Sequence, residues 1–240
     1  MAAMCSPGLG EAHERFKDKT GLAGSHVREL ALYKQTDPRI RRHMPTVYQA
    51  FQDDAREAYV VVMEQLKDVV LKDTADDPSG WSAEHVNAAL EGIAKVHSVY
   101  YGRTEALANE PWMGHVPDTA SMIEMSHLWE HLGVHAAEEF PEWITERDLE
   151  LHRRLVRRIF KWWHEIELMP KTLIHNDFNP QNICLRPSTD PEDSFGYRLC
   201  AYDWELATVH LPQHDLAELL CFVLHPDVSK SVVDHHVEVH

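Results

Sequence analysis

The sequence predicts an α+β chain in which a small strand-bearing start leads into a larger, mainly helical body. Three observations carry this. Two strand signals stand close together near the N-terminus: residues 46–51 alternate in polarity, and residues 58–63 form a valine-rich apolar run. From residue 82 onward, apolar side chains recur at helical spacing over long stretches. Short strand-like pieces return only between residues 172 and 202.

In chain order, the first twenty-odd residues mix Gly, Pro, Lys and Asp with weak periodicity, and Gly8-Leu9-Gly10 reads as flexible chain. Residues 25–35 are a predicted helix, with Ser25 as its cap and Val27, Leu30 and Ala31 at helical spacing. Pro38 and Pro45 bracket a basic stretch, and Asp53, Asp54 and Arg56 suit the turn between the two strands. Residues 76–80, Asp-Asp-Pro-Ser-Gly, are a loop. Ser82 then opens a long amphipathic helix with Val86, Ala89, Leu90, Ile93, Ala94 and His97 on one stripe. Helices are expected over 118–137, 146–167 and 215–224, and strands over 172–175, 183–185 and 197–202. Residues 234–240 carry His235, His236 and His240, which are able to catch a metal, but the segment reads as a solvated tail.

A chain of 240 residues is long enough to bury a real core. Its net charge of −16 argues against a nucleic-acid backbone or an anionic membrane as the main partner. The longest apolar run, residues 58–63, is far short of the roughly 20 residues of a membrane span. The opening Met-Ala-Ala-Met-Cys-Ser-Pro-Gly does not read as a secretion signal. Cys5, Cys184, Cys200 and Cys221 show no Cys-x-x-Cys spacing and read as reduced thiols, so a cytoplasmic location is expected. Part of the population of 18 histidines can charge between about pH 5 and 8.

The chemistry is concentrated in His175-Asn176-Asp177-Phe178-Asn179-Pro180-Gln181-Asn182, followed by Ala201-Tyr202-Asp203-Trp204-Glu205. Phosphoryl transfer needs little covalent help and much positioning. A carboxylate must orient or deprotonate the attacking hydroxyl, and hard oxygen ligands must hold Mg²⁺ against nucleotide phosphates. Asp177, Asn182 and Asp203 supply that set. Each residue alone is an ordinary turn residue; the ordered set is the signal.

This His-x-Asp-x-x-x-x-Asn run with a following Asp-Trp-Glu resembles the aminoglycoside phosphotransferase and choline kinase-like superfamily. The resemblance implies a protein-kinase-like two-lobe fold with a truncated small β lobe over 1–66, including the hinge, and a mainly helical large lobe over 67–240. It implies Asp177 as catalytic base, His175 as support for its loop, Asn182 and Asp203 as magnesium ligands, and ATP and Mg²⁺ as cofactors. Asp215 in Asp215-Leu216-Ala217 would brace the catalytic loop. Upstream, Arg28-Glu29-Leu30-Ala31-Leu32-Tyr33 looks like the helix whose Glu pairs with a nucleotide-binding Lys. Glu64, Gln65 and Leu66 would offer hinge backbone groups to adenine.

The family's first strands and glycine loop are not recognisable. Phe16-Lys17-Asp18-Lys19 is the expected stump of the Lys-bearing strand, with Lys17 or Lys19 as the partner of Glu29. The chain reads as a shortened member, a splice-like product or a fragment. Missing glycine-loop donors would weaken catalysis. Two functions therefore stand side by side: an ATP- and Mg-dependent kinase of a small-molecule hydroxyl, with an amine-bearing acceptor in view, and a catalytically weak or inactive kinase-like binding module. A protein kinase is disfavoured by Asp-Trp-Glu and by the absence of an Ala-Pro-Glu motif. His127, His131 and His135 share one helical face and read as a polar surface before a zinc site. Trp112, Trp143, Trp162 and Trp163 read as packing residues before an amine cage. Arg153, Arg154, Arg157 and Arg158 read as a basic stretch neutralised by nearby acids.

Overall fold

The computed structural model describes residues 7–72 and 80–240, so most of the expected 76–80 loop lies outside the described residues. Its contacts divide the chain into two compact units, one of residues 7–23 and 114–170, the other of 24–72, 80–113 and 171–240.

The first unit is helical. It contains α1 (Pro7–Phe16), α6 (Thr119–Glu124), α7 (Ser126–Glu139), α8 (Glu146–Val156) and α9 (Ile159–Leu168). Leu9, Ala12 and Phe16 recur on one face of α1 and are buried with Met122, Met125, Leu128 and Ile159. This corrects two expectations. Residues 7–16 are a helix, because burial of that stripe outweighs the low helix propensity of Gly8 and Gly10. Lys17–Lys19 is a 3₁₀ turn, not a strand. The expected single helix over 118–137 is broken at Met125, and that over 146–167 at Arg157-Arg158. Asp118 and Thr145 each cap a new helix through a capping box.

The second unit holds the strands. α2 (Ser25–Tyr33) is followed by the short α3 (Pro38–Arg41), then the antiparallel hairpin of β1 (Val47–Asp53) and β2 (Ala58–Met63). α4 (Ala83–Ser98) begins at Ser82, whose side chain accepts from the His85 N–H, and α5 (Glu105–Ala108) is a single turn. β3 (Thr172–Ile174) pairs antiparallel with β6 (Thr208–His210), a strand too short to be read from sequence. β4 (Ile183–Pro187) pairs with β5 (Tyr197–Ala201). α10 (Gln213–Val223) and α11 (Lys230–Val239) complete the unit. α11 replaces the expected solvated tail: His236 is buried and its Nδ1 bonds Asn87 Oδ1 of α4 at 2.8 Å.

α4 is the spine beneath the candidate site. Val86, Ala89, Leu90, Ile93 and Val96 are buried along it, and α4 lies against β5. Gly92 permits that approach, because a Cβ there would overlap the Leu199 side chain. Gly92→Ala is expected to cost about 1–3 kcal/mol despite its better helix propensity. A lower urea midpoint with unchanged m-value would show it, and an unchanged or higher midpoint would contradict the packing.

No helix among the described residues is long and apolar enough to cross a membrane.

Candidate active site

The site is built from the loop after β3, the turn after β5, α2 and the start of α10. Ile174, Phe178 and Ile183 are buried around the loop, and His175 is fully buried between Phe178 and Trp204, its ring centroid 4.4 Å from that of Trp204. Burial pushes the His175 imidazole below its usual pKa, so it is neutral at pH 7. His175 Nε2 lies 2.9 Å from the Tyr202 carbonyl, which can only accept, so the proton sits on Nε2. His175 therefore tethers the β5 turn to the loop.

Asp177 and Asn182 meet directly. Asn182 Nδ2 donates to Asp177 Oδ2 at 2.6 Å and to the Asp177 carbonyl at 3.0 Å, while Asn179 Nδ2 donates to Asp177 Oδ1 at 2.8 Å. These bonds occupy the nitrogen of the Asn182 amide and leave Oδ1 as the atom available to a cation. Tyr202, the neighbour of Asp203, donates its N–H to the Asn182 carbonyl at 3.0 Å. The loop and the Asp203 turn are thus joined at two points, His175 and Asn182.

Asn176 and Asp203 both hold left-handed backbone conformations, with φ of 64° and 61°. Such conformations in non-glycine residues cost of order 1–3 kcal/mol and persist only where surrounding bonds enforce them. For Asn176 those bonds are its N–H to Asp215 Oδ1 at 2.9 Å and its Nδ2 to the Leu206 carbonyl at 3.0 Å. For Asp203 the enforcing bond is its N–H to the Tyr33 hydroxyl oxygen at 3.1 Å.

Asp215 is fully buried and holds the loop from below. Its Oδ2 accepts from the His175 N–H at 2.7 Å and lies 3.0 Å from His97 Nε2. Burial alone would push this carboxyl up; the hydrogen bond and charge of His97, with His175, outweigh it and hold the pKa below the usual range. Glu218, one turn further along α10, accepts from the Phe178 N–H at 2.8 Å. Together, Asp215 and Glu218 hold three backbone N–H groups, those of His175, Asn176 and Phe178, on either side of Asp177.

The electrostatics are one-sided. The Asp203 carboxyl is raised by burial, then by the negative charges of Glu205 and Asp177. Glu29 is raised by burial, then by Asp203 and Glu205, against which the Tyr33 hydroxyl donates a hydrogen bond. Four carboxylates, Glu29, Asp177, Asp203 and Glu205, thus share one neighbourhood. The donors fit magnesium, which takes hard oxygens from one or two carboxylates and neutral groups. Asp203 and the Asn182 oxygen are of that type, and a divalent cation relieves the repulsion that raises Asp203. A carboxyl with a raised folded pKa stabilises the fold at low pH and loses that contribution as pH rises through the folded value. Asp203→Asn therefore removes a repulsive charge at pH 7. Solvent screens part of this, so the apo protein should gain only roughly 0.5 kcal/mol, about 1–2 °C in Tm. A lower Tm for Asp203→Asn would contradict the repulsion.

The other expected site residues fall as follows. Glu64 donates its N–H to the Thr46 carbonyl, and its carboxylate pairs with Arg186 at 2.7 Å, which holds its pKa down at about 2. Its amide is therefore committed to the hairpin, whereas Gln65 and Leu66 make no backbone hydrogen bond among the described residues. Lys17 and Lys19 belong to the first unit, where they pair with Glu14 and Glu124. Glu29 makes no ion pair among the described residues.

Three site residues escaped sequence reasoning. Arg28 is buried and donates from Nη1 to the Glu205 carbonyl at 2.6 Å, locking α2 to the 3₁₀ turn Trp204–Leu206. A charged residue beside the Val27–Leu30 stripe was the available signal. Tyr33 and Glu218 carried only weak signals: a polar tip on an apolar stripe, and a carboxylate one turn after Asp215. Elsewhere, Arg153 and Arg157 pair with Glu146 and Glu150, as expected for a neutralised stretch. Trp163 is a core residue, and Trp143 is exposed and stacked on Phe140.

The loop thus joins a carboxylate and an amide, and the strained turn beside it carries a second carboxylate. The sequence model of the phosphotransferase enzyme family (APH) matches residues 15–236. The chain belongs to that family, within the aminoglycoside phosphotransferase and choline kinase-like superfamily, and has the family's kinase-like α+β fold. A search among curated proteins found no match.

Proposed function

We propose that this protein is an ATP- and Mg²⁺-dependent phosphotransferase acting on the hydroxyl of a small molecule. Residues 1–66 serve as a partial small lobe and hinge, and residues 67–240 as the large lobe. Asp177 receives the proton of the acceptor hydroxyl. Asn179 and Asn182 fix the rotation of its carboxylate, each bonding one oxygen, so a lone pair is presented to the hydroxyl in one orientation. Asp203 and the Asn182 oxygen would hold Mg²⁺, which supplies charge neutralisation at the transferring phosphoryl group. Gln65 and Leu66, whose backbone groups have no backbone partner among the described residues, meet adenine. The acidic neighbourhood favours an amine-bearing alcohol over an anionic acceptor. Nucleic acid and membrane are not partners in this reading, and buried Cys184 and Cys200, both free thiols, suit the cytoplasm.

The single observation that carries the proposal is the direct Asp177–Asn182 bond within a loop tied at both ends to the Asp203 turn. A specific observation favours a second reading, the catalytically weak or inactive binding module: Lys17 lies in a 3₁₀ turn bonded to Glu14, and Glu29 faces carboxylates. ADP release measured over a panel of alcohols and amino-alcohols separates the two. Acceptor-dependent release supports the kinase. Saturable Mg-ATP binding with no release for any acceptor supports the module.

A further inference from the structure

Within the second unit, α2 grips the Asp203 turn at two backbone points. Tyr33, buried at the end of α2, accepts the Asp203 N–H on its hydroxyl oxygen at 3.1 Å, and Arg28 donates to the Glu205 carbonyl at 2.6 Å. The end of α2 is itself fixed, because Arg41 Nη1 donates to the Tyr33 carbonyl at 2.8 Å. An amide N–H can only donate, so the Tyr33 oxygen is the acceptor in that bond and its own O–H points elsewhere. It points to Glu29, one helical turn back on the same face of α2, whose carboxylate accepts it. A buried hydroxyl without an acceptor would be destabilising, so this bond fixes the rotation of the Tyr33 O–H. Asp203, Tyr33 and Glu29 thus form one hydrogen-bonded line.

Glu29 makes no ion pair among the described residues, and the charges beside it are the carboxylates of Asp203 and Glu205. We propose that Glu29 serves the active site through Tyr33 and not through a lysine: the Glu29 carboxylate orients the Tyr33 hydroxyl, and that hydroxyl holds Asp203 in the backbone conformation from which its side chain projects. Three features support it. The left-handed conformation of Asp203 needs an enforcing bond, and the Tyr33 hydroxyl supplies the one that its amide makes. A hydroxyl can accept from an N–H and donate to a carboxylate at once, whereas a lysine ammonium cannot accept at all. α2 also packs against the 3₁₀ turn Trp204–Leu206, which keeps the donor and acceptor groups in register. Tyr33 and Glu29 are positioning residues in this account, acting on magnesium only through Asp203. That last consequence rests on the reading of Asp203 as a magnesium ligand; the hydrogen-bonded line does not.

The test uses the 240-residue chain and two readouts. One is amide hydrogen exchange over residues 202–206 without ligand, taken relative to α4 in the same sample. The other is the Mg²⁺ concentration that gives half of the ATP-dependent rise in Tm. Tyr33→Phe keeps the ring and removes the hydroxyl, so exchange of that segment should quicken roughly tenfold and the Mg²⁺ requirement should rise roughly tenfold. Glu29→Ala should move both in the same direction by about threefold. Glu29→Gln keeps an oxygen for the Tyr33 O–H and should stay within about twofold of the wild type in both. Unchanged exchange in Tyr33→Phe overturns the proposal. So does a Glu29→Gln effect as large as that of Glu29→Ala, because the charge itself, as in a pair with lysine, would then be what counts. Faster exchange with an unchanged Mg²⁺ requirement, in a wild type that responds to Mg-ATP, overturns the positioning role. A wild type with no Mg-ATP response removes magnesium from Asp203, and the exchange readout alone then decides whether Glu29 acts through Tyr33.

Discussion

Asp177→Asn is expected to lower acceptor-dependent phosphoryl transfer by about a thousandfold, within the 10²–10⁴ range of a lost general base. The substitution keeps the shape of the side chain but leaves one acceptor oxygen for the two amides of Asn179 and Asn182, so one of these bonds is lost, while the backbone bonds to Asp215 and Glu218 keep the loop in place. What disappears is the negative charge and the ability to receive the acceptor proton. Nucleotide binding should therefore survive, and the loss should appear in kcat with little change in KM for ATP. Asn182→Ala differs because it removes both an orienting bond to Asp177 and a candidate metal oxygen. It should weaken kcat and raise the Mg²⁺ requirement together. Turnover by Asp177→Asn equal to that of the wild type would remove Asp177 from the base role.

The second large effect is on the fold. Asp215→Ala should cost about 3–5 kcal/mol, the range for deleting one member of a buried charged network. Two backbone N–H groups, from His175 and Asn176, lose their acceptor, and each such orphan costs about 1–3 kcal/mol. The left-handed Asn176 loses one of the bonds that enforce it. The pH dependence has a definite sign. Since the folded pKa of Asp215 is depressed, its contribution is complete above the ordinary carboxylate range, about pH 4, and is lost as pH falls through the depressed value. Urea unfolding at pH 7 and at acid pH should show a wild-type advantage over Asp215→Ala that shrinks on acidification. A pH-independent difference would mean that the carboxylate is not the stabilising species.

The parts legible in the sequence are those where spacing and chemistry coincide. Asp177 and Asn182 lie five residues apart because the loop must fold back to bond one to the other, and that spacing survives as text. The β1–β2 hairpin was legible through its alternation and its Asp-rich turn, and α4 through its stripe and Ser82 cap. α1 was not legible, because Gly8 and Gly10 lower its propensity and its stabilisation comes from distant Met122, Met125 and Leu128. The breaks at Met125 and Arg157-Arg158 were hidden because neither has a proline or glycine to mark it. α11 was hidden by its own polarity: His236 is buried by bonding Asn87, a partner 149 residues away. The first unit, which joins an N-terminal helix to helices from the middle of the chain, has no marker in composition.

The account rests on a magnesium-dependent nucleotide site between the Asp177–Asn182 loop and Asp203. Thermal unfolding with ATP alone, with Mg²⁺ alone and with both, in wild type and Asp203→Asn, measures it directly. Nucleotide binding to the folded state raises stability by mass action, about 2.7 kcal/mol at a hundredfold excess over Kd. The wild type should gain most with Mg-ATP, by several degrees, and Asp203→Asn should begin slightly higher and lose the magnesium-dependent part of that gain. Equal Mg-ATP shifts in the two proteins, or no shift in the wild type at saturating nucleotide, would contradict the site.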